Sequence, residues 1–167
     1  SDNQGNFIPF NELNHVRPGL RFGFLNSVER RPDFQPPTEP PSIEIPHPWT
    51  RSVNGICFLE ADGDRPFGPF TGHLVGCEYD TRRLVRMSLQ RVGGTFQGAV
   101  YPLTYDQPRG EPWLLGPICC AVAPNGDLVV GGIRDSGWGG GNNLGEVVRL
   151  RFAPEQLPAG IAEVRAV

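Results

Sequence analysis

The sequence contains no lysine: all of its 15 basic residues are arginine. That excludes Schiff-base chemistry, amine nucleophiles and a lysine general base. Histidine is almost as scarce, with only His15, His47 and His73. Arginine holds its proton at neutral pH, so proton transfer falls to one of these three rings or to a carboxylate. No apolar run approaches the ~20 residues that cross a bilayer as a helix, so no membrane span is expected. Residues 1–10 are too polar for a signal peptide, and any export signal is expected to have been removed or to lie upstream. A net charge of −3 gives no attraction to polyanions, so no nucleic-acid partner is expected. The four cysteines include no C-x-x-C and no C-x-x-C-H, which excludes a zinc-ribbon spacing and a haem attachment motif. Cys57 and Cys77 sit in apolar, strand-like runs and read as buried thiols, with a disulfide between them left open.

What the chain has in excess is turn formers. Glycine (22) and proline (18) together make up nearly a quarter of 167 residues, about twice the average share. Long helices are excluded, and one domain is expected from the length. Seven of the prolines fall within 32–48, a stretch that reads as an extended surface loop because proline cannot donate to a strand ladder. Beyond it, short apolar runs alternate with turn residues. Val53 to Leu59, Leu74 to Tyr79 and Leu84 to Leu89 form one group of predicted strands. Ile118 to Ala123, Leu128 to Gly132 and Glu146 to Phe152 form a second, with a Pro124-Asn125-Gly126-Asp127 turn inside it. Gly72-His73-Leu74-Val75-Gly76 followed by Arg83 to Leu89 aligns with Gly126-Asp127-Leu128-Val129-Val130 followed by Glu146 to Phe152, a repeat of 54 residues. Repeats of about this period are blade-like units that bury their faces only against neighbours. The expected fold is all-β: an incomplete β-propeller of about three four-stranded antiparallel units, the first of them entered at Asp2-Asn3-Gln4-Gly5. A closed ring needs about four or more, so other protein chains are expected over the open edges.

Several segments also resemble a known family. Gly68-Pro69-Phe70-Thr71-Gly72-His73-Leu74-Val75-Gly76, the run from Arg86 to Ala99, the opening Asp2-Asn3-Gln4-Gly5-Asn6, and the stretch from Gly116 to Gly139 are similar to the propeller domain of PQQ-type sugar dehydrogenase-like proteins of planctomycete-type bacteria. The resemblance implies a periplasmic or secreted oxidoreductase that oxidises a sugar, with PQQ and calcium as cofactors and electrons passed to a quinone or haem acceptor. His73 stands where that family's motif is expected to carry glutamine.

The candidate site residues come from the loops between strands. Arg134, Trp138, Asn142 and Asn143 flank a glycine-rich loop that offers a cation, a stacking ring and amides to a planar anionic cofactor or a sugar. Arg51 and Asn54 could add a cation and an amide to the same ligand, with His47 close by in sequence as a general base and His73 as the other candidate base. Asp62 and Asp64 have the D-x-D spacing that lets two carboxylates meet one calcium ion, or simply form a turn. Glu78, Tyr79, Asp80 and Arg82 end the preceding strand, placed either to converge on a channel or to form salt bridges and turn hydrogen bonds. Two functions stay open on this reading. One is a quinoprotein-like sugar dehydrogenase module; the other is a non-catalytic propeller module that binds carbohydrate or protein within a larger assembly.

Overall fold

Strands of this composition pair locally, because glycine-rich turns return each run alongside the one before it. A computed structural model of the chain describes residues 10–22, 32–33, 35–60, 66–106, 109–134 and 144–153. Among these residues the protein is all-β and contains no helix. Strands β1 (Phe10–Leu13) and β2 (Ile43–Pro46) form a two-stranded antiparallel sheet. Four strands, β3 (Val53–Phe58), β4 (Leu74–Glu78), β5 (Arg83–Val92) and β6 (Thr95–Pro102), form an antiparallel meander in chain order. A third sheet orders β7 (Pro117–Val122), β8 (Leu128–Arg134) and β9 (Leu144–Leu150) in the same way. The expected opening strand around residues 2–5 lies outside the described residues.

Two elements differ from the sequence expectation. The stretch 32–48 is not loop throughout, because Ile43, Glu44 and Ile45 supply three consecutive N–H groups and pair with β1. Ile43 and Ile45 turn inward and are almost fully buried while Glu44 faces out. The second difference is β6, which follows β5 through Gly93-Gly94, with Val92 opposite Thr95. Its burial pattern is only partial, so it offered no clear alternation to read.

The repeat is present in the pairing register. Leu74 pairs with Met87 and Leu128 with Leu150; Val75 pairs with Arg86 and Val129 with Arg149. The turns agree as well. Gly72 and Gly126 both hold positive φ, at 82° and 83°, which glycine adopts without a Cβ clash. Leu59 N–H donates to the His73 carbonyl, and Ala123 N–H makes the equivalent bond to Asp127, both at 2.8 Å.

Two apolar clusters hold the three sheets together. One face of the four-stranded sheet, with Leu74, Val85 and Met87, is covered by Ile43 and Ile45 of the small sheet. Its other face, with Val75, Cys77 and Leu84, packs on Leu128, Val130, Val148 and Leu150 of the three-stranded sheet. At this second interface β3 and β7 come into backbone contact: a Cβ on Gly55 would lie 2.6 Å from the Ile118 carbonyl oxygen and 2.7 Å from the Cys119 Cα. Replacing Gly55 with valine is expected to cost about 2–3 kcal/mol through this overlap, read as a lower urea midpoint with an unchanged slope. A midpoint equal to wild type would mean that the two strands are not in contact.

Candidate functional site

One end of the two larger sheets is built around a buried carboxylate. Glu78 closes β4, is fully buried, and accepts hydrogen bonds from Arg51 N–H (2.8 Å) and Ser52 N–H (2.7 Å) on one oxygen. Its other oxygen accepts the Thr81 N–H and hydroxyl. All four donors lie in the two backbone segments that flank it, so the carboxylate fixes the entry to β3 against the β4–β5 turn. In that turn Arg82 holds φ of 60° without being glycine, and its Nε donates to the carbonyls of Leu114 (3.1 Å) and Leu115 (2.7 Å). The Tyr79 ring lies over Gly116, where an added Cβ would meet it at 2.8 Å. Glu146 at the start of β9 accepts the Leu115 N–H. This end therefore joins the four-stranded and three-stranded sheets.

Several candidate residues gather here. Arg51 reaches Asp80 at 3.9 Å, both well exposed. Asn54 donates from its side-chain amide to the Ser52 carbonyl and hydroxyl. Arg134 closes β8 at the same end. His47 sits in the turn after β2 that delivers Trp49 and Thr50 to this region; its Nε2 is buried without a hydrogen-bond partner, while Thr50 accepts a hydrogen bond from the buried Asn11 amide. Trp138, Asn142, Asn143, Asp62 and Asp64 lie outside the described residues. Of the two uses open to the 78–82 segment, Glu78 and Arg82 serve turn and inter-sheet hydrogen bonds.

His73 lies elsewhere. It precedes β4 while Glu78 ends it, so the two are about 16 Å apart along the strand. Its Nδ1 is 2.7 Å from an Arg86 guanidinium nitrogen, and the guanidinium itself sits between the Phe70 ring (4.4 Å) and the Tyr101 ring (4.6 Å). The repeat explains the contact. His73 and Arg86 occupy the positions of Asp127 and Arg149, and there the acid meets the cation at 3.5 Å. With histidine in the acid's place, the ring must accept from arginine and therefore stay neutral. Burial, and then the Arg86 charge, hold it below its ordinary pKa of 6.5. The third ring, His15, packs edge-on against Phe96 at 4.9 Å. The three histidines thus do not converge on one another.

Sequence reasoning passed over Glu146 and the aromatic pair around Arg86, since neither depends on local spacing. It also passed over the approach of Cys57 to Cys120, whose sulfurs are 3.1 Å apart. Compared with family models, curated proteins and solved structures, the chain matches none.

Two outcomes follow from these contacts. Glu78→Gln puts a donor where two donors already point, and is expected to lower stability by about 3 kcal/mol, measured by urea denaturation. For His73, the unfolded chain takes up the proton first as pH falls, so its contribution is complete above about pH 6.5 and declines as pH drops from there through the folded value. His73→Asp should pair with Arg86, keep stability at pH 7.5 within about 1 kcal/mol of wild type, and flatten the slope of stability just below pH 6.5. An unchanged slope would show that His73 is not the group responsible.

Proposed function

We propose that the chain is a β-propeller module that contributes stacked sheets to a larger assembly and presents the loops at its Arg51–Arg134 end to a carbohydrate or protein ligand. One observation carries this reading: the two repeated sheets are stacked head to tail. Val75, Cys77 and Leu84 form the face that the four-stranded sheet packs against the three-stranded sheet. By the shared register their counterparts are Val129, Gly131 and Val147. In the three-stranded sheet that face looks outward, with Val147 79% exposed. It carries a shallow, mainly apolar groove of about 370 Å³, lined by Ile118, Gly131, Gly132, Ile133, Gly145 and Val147 among others. Head-to-tail packing of like units leaves one such face open at the end of a stack, and because Ile43 and Ile45 already cover the Leu74, Val85 and Met87 face, the occupant that a second copy can supply is its own open face.

The quinoprotein reading is supported by the gathering of Arg51, Asn54 and Arg134 at one end, where cations and an amide suit a carboxylated, planar cofactor. On that reading the module works in the periplasm or outside the cell, with PQQ and calcium supplying sugar oxidation. His73 would serve as the partner of Arg86 and not as the base, because it lies at the opposite end.

The two readings separate by experiment. Self-association through the open face is expected to rise with concentration in sedimentation velocity, and Val147→Arg should abolish it without altering the β-type circular dichroism. A wild-type chain that stays monomeric at every concentration would sink the stacking reading. Addition of PQQ and calcium, with a panel of sugars and an artificial electron acceptor, tests the second; no turnover and no cofactor-dependent tryptophan quenching would remove it.

A further inference from the structure

We infer that Cys57 and Cys120 form a paired dithiol that closes, by exchange with a small-molecule disulfide, into a disulfide linking β3 to β7. Nothing in this inference depends on the propeller or dehydrogenase readings. The two residues are 63 positions apart and belong to different sheets, yet the Cys120 thiol meets the Cys57 sulfur at 3.1 Å. That is about 1 Å beyond the S–S bond length of roughly 2.05 Å. The backbones are already close enough. An added Cβ on Gly55, two residues from Cys57, would lie 2.7 Å from the Cα of Cys119, the neighbour of Cys120, so closing the bond needs side-chain rotation with little movement of the strands. Both cysteines are half-buried at the edge of the inter-sheet core, whereas Cys77 is fully buried. Cys119 is exposed, and its sulfur lies 3.9 Å from the Gly131 carbonyl oxygen. Successive strand residues point to opposite faces, so Cys119 turns away from the pair.

In the reduced state the pair is protonated. The hydrogen bond with Cys120, and then burial, raise the Cys57 thiol above its ordinary range. Cys120 is lowered by its hydrogen bond with Cys57, but its hydrogen bond with Cys77 and burial outweigh this and push it up to about 12. Such thiols are poor metal ligands and slow nucleophiles. Proximity is what directs the exchange. One sulfur gives up its proton and attacks the donor disulfide, releasing one donor thiol and leaving a mixed disulfide. The other sulfur then gives up its proton and displaces the second donor thiol. Two protein S–H bonds break and one S–S bond forms; the two electrons reduce the donor S–S bond, and both protons end on the two donor thiols.

The experiment incubates the full chain with oxidised glutathione and maps its cysteines. Two of the four thiols should disappear from a DTNB titration. Trypsin should yield peptides 52–82 and 110–134 joined and two hydrogens lighter, since Pro66 protects the bond after Arg65. Fragmentation of the joined pair should place the link at Cys57 and Cys120. Reduction with dithiothreitol should lower the melting temperature on the order of 10 °C, because the link closes a long loop. Cys57→Ser or Cys120→Ser should abolish the joined peptides, and Cys119→Ser should leave them. Four titratable thiols after incubation, a link that fragments to Cys77 or Cys119, or a melting temperature indifferent to reduction would each overturn the inference.

Discussion

The arrangement of the protein depends on the approach of β3 to β7 at Gly55. A side chain there would overlap the Ile118 carbonyl and the Cys119 Cα, so the absence of a Cβ sets how closely the two larger sheets can stand. Close-packed interiors transmit such a constraint, because side chains further along the interface must fill whatever spacing the backbones leave. Val75, Leu84, Leu128 and Val130 fill it with almost no residual exposure. Further out along the same interface Arg82 spans from the β4–β5 turn to the Leu114 and Leu115 carbonyls, and the Phe152 ring covers Gly68 at the other end. The contact is thus hydrogen-bonded at one end, apolar in the middle and aromatic at the other.

The two repeated units keep their backbone and exchange their chemistry. Register, positive-φ glycine and the hydrogen bond that closes the first hairpin are shared. The side chains at the shared positions are not. Asp127 in one unit meets Arg149 and Arg151 as an ion pair, while His73 in the other meets Arg86 as a neutral acceptor held by two aromatic rings. Glu78 at the end of β4 has glycine, Gly132, as its counterpart in β8, and only the first unit anchors its incoming segment with a carboxylate. Backbone geometry tolerates such changes because the ladder bonds and the glycine turns carry the pairing, leaving outward and terminal positions to local partners.

Polar groups that look available in the sequence are largely committed in three dimensions. Glu78 has four donors, and Arg82 has two carbonyls. A buried carboxylate with all its lone pairs occupied stabilises a turn instead of reacting, since releasing it would strand donors away from water. Among the described residues, Arg51 with Asp80, Asn54 and Arg134 stay at the surface of that end.

The sequence by itself determined the class of structure. Abundant turn residues and short apolar runs leave no room for long helices, and six of the nine strands among the described residues fall where alternating runs and glycine turns place them. The 54-residue repeat was legible too, because register follows from period-two patterning and turn position. Strand β2 was hidden among prolines and β6 behind its partial burial. Tertiary structure alone decided the rest. Which face of each sheet is buried, that His73 stands about 16 Å from the polar end, and that Cys57 meets Cys120 across 63 residues all follow from how separate sheets stack. Contacts between residues far apart in the chain leave no local period in sequence, so they become visible only once the sheets are set against one another.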